Sequence, residues 1–419
     1  MSKNIKQKLS KKQAIAYENK YGAHNYHPLP VVLSKGKGVY VWDLDGKKYF
    51  DFLSAYSAVN QGHGHPKIVK ALAKQAKKLA LTSRAFYNDK LGPYEKFATK
   101  YFGFDKLLPM NTGAEAVETA IKLARKWAYE KKGIPEKKAN IVVAKGNFHG
   151  RTTTIISFSN DPEARDNFGP YTPGFTKIPY NNLKALEKAL KKNKNIAAFM
   201  VEPIQGEAGV FVPDEGYLKG AKKLCEKYGI LFIADEVQTG IARTGKLLAV
   251  DHENVKPDVL ILGKAMSGGV YPVSAVLAND DIMLTIKPGQ HGSTFGGNPV
   301  AANVAVAALK VIKKEKLAEN AEKMGKIFRK ELQKVVDSSK FVKQVRGKGL
   351  LNAVVINDTE ESETAWNICL KLADNGLLAK PTHGNIIRFA PPLVINKKQL
   401  MKAIAIIKKS IADYEQENL

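Results

Sequence analysis

Cysteine is nearly absent from this chain of 419 residues: only Cys225 and Cys369 occur. Two thiols cannot build a disulfide framework or a four-thiolate zinc site, which points to a reducing compartment and to no metal site. No apolar run reaches the ~18 residues of a membrane span, so no membrane partner is expected. Arginine is scarce as well. Of 66 basic residues only eight are arginines (Arg84, Arg125, Arg151, Arg165, Arg243, Arg329, Arg346 and Arg388), leaving 58 lysines. With 40 acids the formal net charge is +26, and a basic, non-catalytic nucleic-acid-binding protein is the reading that charge alone invites. The lysines are spread over the outer faces of amphipathic stretches, as at Lys184, Lys188 and Lys191, whereas base and phosphate recognition draws on arginine's planar fork. Nucleic acid is therefore not expected as a partner. The scarcity has a converse: where lysine is the default surface base, each remaining arginine marks a place where geometry was needed.

Along the chain, residues 1–13 are lysine-rich but hold no arginine and no apolar core. They read as a solvated start leading into a short helix, neither a secretory signal nor a mitochondrial presequence. With the reduced cysteines, this sets the expectation of a cytoplasmic protein. The stretch from Gly38 to Phe52 alternates apolar residues on either side of Asp45-Gly46, a β-hairpin signal. From about residue 66, helical patterns alternate with short, wholly apolar runs: 141–144, 197–201, 230–234 and 259–262. Uninterrupted apolar runs suit strands covered on both faces, and helices between them imply a largely parallel α/β sheet. A long helix from Val300 to Lys316, a second helix, strands near 350–356 and 386–389, and a closing helix from Lys397 indicate a smaller α+β unit. The expected division is an N-terminal segment with the hairpin (1–57), a large domain (58–304) and a small C-terminal domain (305–419).

Parallel sheets place reactive groups just beyond the carboxyl ends of their strands. Here those positions hold Asp235-Glu236-Val237-Gln238, then Gly263-Lys264-Ala265, then Glu202 through Glu207, and the glycine turn Thr112-Gly113-Ala114 that opens a long helix. A lysine, an acid and a phosphate-type helix start on one rim fit pyridoxal 5'-phosphate. Lys264 is the Schiff-base candidate, because burial lowers a lysine's pKa and frees its amine. Gly263, Gly268 and Gly269 are expected to leave room for a planar ring. Asp235 would keep the ring nitrogen protonated: charges in contact interact by ~4 kcal/mol at an effective dielectric of ~20. Free N–H groups at Thr112, Gly113 and Ala114 would meet the phosphate.

The stretch from Leu231 to Gly240, followed by Asp258 through Gly269, resembles the signature of class III aminotransferases, and the resemblance runs from Gly22 to the C-terminus. Within that class, the segments 22–30, 82–87 and 380–392 are similar to its ornithine-using branch. The resemblance implies fold type I of the pyridoxal-phosphate enzymes, a homodimer with sites at the subunit interface, and transfer of the δ-amine of ornithine to 2-oxoglutarate. A place in arginine metabolism and proline biosynthesis goes with it. It also implies roles: Lys264 as proton carrier, Asp235 at the ring nitrogen, Gln238 at the ring oxygen, and Phe148 and Val237 on the ring faces. Ser293 and Thr294 would join the phosphate from the partner subunit. Arg151 and Tyr26 would hold ornithine's α-carboxylate and Arg388 that of 2-oxoglutarate. Glu207 would pair with Arg388 and move aside for the second substrate; Glu202 is grouped on the substrate side. Members acting on acetylornithine carry small residues where this chain has Tyr56, so Tyr56 favours ornithine over acetylornithine or 4-aminobutyrate.

Other signals have plainer readings. Gly240 to Leu247 nearly spells a P-loop, yet Leu247 stands where a magnesium-binding hydroxyl is required. His63-Gly64-His65 has no third metal ligand nearby in sequence. Asp235 alone could be a helix cap and Phe148 alone a core aromatic. His149 has no assigned role.

Overall fold

The computed structural model describes residues 9–418. Its centre is a seven-stranded sheet built from β4 (Lys106–Met110), β5 (Asn140–Ala144), β6 (Phe175–Ile178), β7 (Ile196–Val201), β8 (Leu231–Asp235), β9 (Val259–Leu262) and β10 (Ser274–Ala278). Their spatial order is β4-β10-β9-β8-β7-β5-β6. Pairing is parallel from β6 through β9, and β10 alone runs antiparallel to its neighbours β9 and β4. Every residue of β7, β8 and β9 is buried. That explains their unbroken apolar runs: helices cover both faces, so neither face needs polar residues.

Three strands of this sheet were not legible as apolar runs. β4 contains Pro109, tolerated because it pairs on one side only. β6, the opposite edge, reads Phe-Thr-Lys-Ile and is only partly buried. β10 is the short Ser-Ala-Val-Leu-Ala segment, whose small residues carry little strand signal.

The hairpin forms as expected, from β2 (Tyr40–Asp43) and β3 (Lys48–Asp51). Asp43 Oδ1 accepts the N–H groups of Asp45 and Lys47, and Gly46 takes φ +84° to close the turn. β1 (Leu33–Lys37) extends one side of it, while β13 (Leu377–Leu378) adds in parallel to β3 on the other. The N-terminal sheet is thus completed by a strand from the far end of the chain. A third, antiparallel sheet has the order β11 (Val342–Lys348), β12 (Leu351–Ile356), β15 (Ile386–Phe389), β14 (Lys380–Thr382). The helices Pro299–Lys314, Leu317–Val336 and Lys397–Asn418 complete the C-terminal part. The short helix expected near the start spans Lys11–Tyr21 behind a Ser10/Gln13 capping box; residues 1–8 of the expected solvated start lie outside the described residues. No helix among the described residues is long and apolar enough to cross a membrane.

Candidate active site

A cavity of about 190 Å³ opens at the carboxyl ends of β7, β8 and β9, lined by Gly113, Ala114, Phe148, His149, Gly150, Glu202, Asp235, Val237, Gln238, Thr239 and Lys264. Lys264 follows β9 directly and sits at φ +40°, a left-handed value rare for a long side chain and characteristic of functional sites. Burial pulls its pKa down to about 8, against the opposing charges of Glu207 and Asp235. An ordinary lysine near ~10.4 is almost wholly cationic at neutral pH. This one holds a larger neutral, nucleophilic fraction at the same pH.

Asp235, the last residue of β8, is buried; its Oδ1 accepts the Val237 N–H at 3.0 Å and its Oδ2 accepts Nδ1–H of His149 at 2.6 Å. His149 was left without a role by the sequence, because its partner lies 86 positions away. Burial disfavours its charge, but the hydrogen bond and charge of Asp235 prevail and raise its pKa. Its Nε2 is buried without a partner. Glu202 lies on this same side, accepting the Phe148 N–H at 2.9 Å, and burial raises its carboxyl to about 7. Glu202 lines the cavity, close enough to His149 for its charge to act there.

The helix Gly113–Glu130 points its first turn at the cavity. Thr112 is its N-cap, accepting the Glu115 N–H at 3.2 Å, while Glu115 accepts the Thr112 N–H at 2.8 Å. That capping box occupies Thr112, so the first-turn groups nearest the cavity are those of Gly113 and Ala114. A Cβ at Gly113 would come within 2.9 Å of Val237, and one at Gly206 within 2.0 Å of Gln238 Oε1. Two of the glycines expected to make room for the ring do something else. Side chains at Gly268 and Gly269 would meet Ile68 and Val59 instead, since their positive φ of 57° and 73° turns the chain onto the core. Of the three, only Gly263 faces a cavity residue: a Cβ there would lie 3.3 Å from Val237. Ser293 and Thr294 are not among the residues lining this chain's cavity; Ser293 Oγ accepts from Asn111 Nδ2 at 2.9 Å.

Beside the cavity lies a second group. Arg388 is buried, and its Nη1 and Nη2 donate to Glu207 Oε2 and Oε1 at 2.7 and 3.1 Å, a bidentate pair. Burial raises the Glu207 pKa but Arg388 outweighs it, leaving the carboxyl below its ordinary range. Arg388 Nε is buried with no partner. The Tyr56 ring lies 5.0 Å from the guanidinium, and burial raises the phenol's pKa against the lowering charge of Arg388. Arg151 and Tyr26 are exposed, and the Arg151 charge acts on Tyr56; Arg151 also reaches the Phe148 ring, at 5.8 Å. The remaining signals resolve as structure: His63 pairs with Asp51 and His65 with Glu315. Arg243, in the P-loop-like stretch, turns inward to Asn60, Leu350 and Pro391.

The residues fit pyridoxal phosphate: a buried free amine, a carboxylate at a strand end, a helix start cleared of side chains and an aromatic ring share one small cavity. Comparison with known proteins agrees. The model of the aminotransferase class-III family matches residues 21–411. A relative named a mitochondrial ornithine aminotransferase, from Drosophila ananassae, is 66% identical, covering 94% of this chain and 90% of its own. A solved ornithine aminotransferase from Toxoplasma gondii, described with pyridoxal phosphate at its active site, has a TM-score of 0.96 at 50% identity, covering 98% of this chain and 96% of that one. A solved acetylornithine aminotransferase from Elizabethkingia anophelis has a TM-score of 0.89 at 63% identity, covering 96% and 99%. These matches correct the cytoplasmic expectation: the Drosophila ananassae relative is named mitochondrial, as are three further animal relatives at 58–66% identity. A low cysteine count does not tell one compartment from another.

Proposed function

The chain belongs to the aminotransferase class-III family, a pyridoxal-phosphate-dependent enzyme of fold type I, and we propose that it moves the δ-amine of ornithine to 2-oxoglutarate. The products are glutamate 5-semialdehyde, which cyclises, and glutamate. The observation that carries this reading is the Lys264 side chain sharing a buried cavity with Asp235, next to the bidentate Arg388–Glu207 pair. Pyridoxal phosphate, when bound, supplies an aldehyde for the substrate amine and a ring that accepts the electron pair as the adjacent C–H bond breaks.

The chain's own residues do the rest. Lys264 would hold the cofactor and carry the proton that shifts during transfer. Asp235 would hold the ring nitrogen in its cationic form, and His149 keeps Asp235 oriented by donating to its Oδ2. Gly113 and Ala114 offer first-turn N–H groups to the phosphate, with Ser293 and Thr294 of the partner subunit; Thr112 serves by capping that helix. Phe148 and Val237, which line the cavity, would cover the ring, and Gln238 would meet its oxygen. Arg151 and Tyr26 bind the α-carboxylate of ornithine at the mouth, which leaves its δ-amine at Lys264.

Glu207 neutralises Arg388 while ornithine, which brings no carboxylate to that end, is bound. It swings away when 2-oxoglutarate presents one, and the orphaned Arg388 Nε is a ready further donor. Such exchange keeps Arg388 paired in both halves of the cycle, as a buried cation requires. Glu202 joins the substrate-side residues of this site. The substrates give the enzyme a place in arginine and proline metabolism. The working division remains 1–57, 58–304 and 305–419, the middle part holding the cofactor. A homodimer is supported by an exposed aromatic group on this chain, Phe86, Tyr87 and Phe295, on loops that meet where Gly297 lies 3.0 Å (as a Cβ) from Arg84 Nη1.

The second reading, acetylornithine as donor, is favoured by the name of the Elizabethkingia anophelis structure; the Tyr56 ring standing over Arg388 argues against it. One coupled assay decides. With 2-oxoglutarate as acceptor, ornithine should yield the cyclised product at a kcat/KM well above those for acetylornithine and 4-aminobutyrate. A preference for acetylornithine would replace the proposed donor.

A further inference from the structure

The segment after the hairpin has an unusual backbone. Ser54, Ala55, Tyr56 and Ser57 take φ of 50, 44, 58 and 78°. L-residues visit the left-handed region singly, not in runs of four, and such a run persists only where its surroundings over-determine it. Two residues do so here. Asp51, buried at the end of β3, accepts at Oδ1 the N–H groups of Leu53 and Ser54, at 2.9 and 2.8 Å. Its Oδ2 accepts Nε2–H of His63 at 2.7 Å. His63 is fixed in turn: its backbone exchanges two hydrogen bonds with Gly38, both 2.9 Å, and its ring lies where a Cβ on Gly36 would approach to 2.9 Å.

What the turn delivers is Tyr56, with its ring 5.0 Å from the Arg388 guanidinium. The far end of the segment is anchored as well. Gln61 Nε2 donates to the carbonyl of Ala265, next to Lys264, at 2.9 Å, and Asn60 Oδ1 accepts from the buried Arg243. The downstream anchors fix where the segment leaves; Asp51 and His63 fix how it enters.

We propose that Asp51 and His63 are a positioning pair that holds this left-handed turn and thereby sets the reach of Tyr56 into the substrate cleft. They touch no substrate themselves. The inference rests on the reading of that cleft as the amine-donor site, and deepens it by naming what fixes its specificity residue. Asp51 supplies an acceptor for two backbone N–H groups and a link to His63. Asparagine retains both functions, because its Oδ1 accepts the N–H groups and its Nδ2–H can be donated to the other tautomer of His63. Alanine retains neither.

A crystal structure of Asp51→Ala should show residues 54–57 out of the left-handed region and Tyr56 no longer over Arg388, whichever amine the enzyme uses. In kinetics, the ratio of kcat/KM for ornithine to that for 4-aminobutyrate should fall roughly tenfold, through KM more than kcat. Cofactor absorbance should be unchanged, and Asp51→Asn should restore the ratio. In a Tyr56→Ala background, Asp51→Ala should alter the ratio no further. An unmoved turn, or an equal fall in both backgrounds, overturns the proposal. If Asp51→Ala does not fold, His63→Leu should lower the ratio while His63→Gln, which retains a donor, should not; identical behaviour of the two overturns it equally. A wild-type enzyme that preferred another donor would remove ornithine as the substrate, while the crystal structure would still decide the role of the pair.

Discussion

Leaving Arg388 buried without a counter-ion would cost about 3–5 kcal/mol, and Glu207 prevents this through a bidentate pair of hydrogen bonds at 2.7 and 3.1 Å. Removing that partner should favour substrates that bring their own carboxylate. Glu207→Ala is expected to raise kcat/KM for glutamate relative to ornithine by roughly tenfold, or ~1.4 kcal/mol; single-turnover kinetics with each donor checks it, and a shift the other way contradicts the switch. Lys264 makes a pH prediction. With its pKa lowered to about 8 by burial, the neutral amine grows as pH rises through that value. Capture of pyridoxal phosphate by the apoprotein should therefore rise with a midpoint at about pH 8 and level off above it, where an ordinary lysine would have its midpoint at ~10.4. Much at this scale was legible from scarcity. Arg243, Arg329, Arg346 and Arg388 all donate to specific carbonyls, amides or carboxylates, as expected where lysine serves the surface. His149 was not legible, because nothing local distinguishes a histidine whose carboxylate partner comes from another strand.

At the scale of elements, the strand ends carry the site. β7, β8 and β9 were readable because burial on both faces removes every polar residue from them, and their ends were then fixed to a residue or so. The edge strands β4 and β6 escaped, since one-sided pairing tolerates Pro109 and Lys177. The left-handed turn escaped for a different reason: Ser-Ala-Tyr-Ser contains no glycine, and the backbone is dictated by Asp51 and His63 rather than by its own residues. The loop after β7 gives a direct test of how tightly these ends are packed. A methyl group on Gly206 would fall 2.0 Å from Gln238 Oε1, so Gly206→Ala should displace Gln238 and weaken cofactor binding, roughly tenfold or more in Kd. Titration of the apoprotein followed by absorbance checks it; unchanged affinity would mean that Gln238 does not contribute.

Across the whole molecule, the buried Arg243 joins three distant parts of the chain: Asn60, Leu350 and Pro391 all accept from it, at 3.2, 3.0 and 2.7 Å. Arg243→Met would leave these acceptors unpaired, at ~1–3 kcal/mol each, and should lower the urea midpoint substantially; an unchanged midpoint would show that water replaces the guanidinium. The proposed dimer predicts a sedimenting mass of two chains, and a stable, fully active monomer would remove the shared site. The account as a whole stands on the Lys264 amine and the Asp235 carboxylate serving one cofactor. The visible absorbance of purified, cofactor-loaded protein tests this most directly. Wild type should carry a band that survives dialysis, and Lys264→Ala should lose it together with turnover of ornithine. A Lys264→Ala variant that kept both the band and the activity would contradict the account.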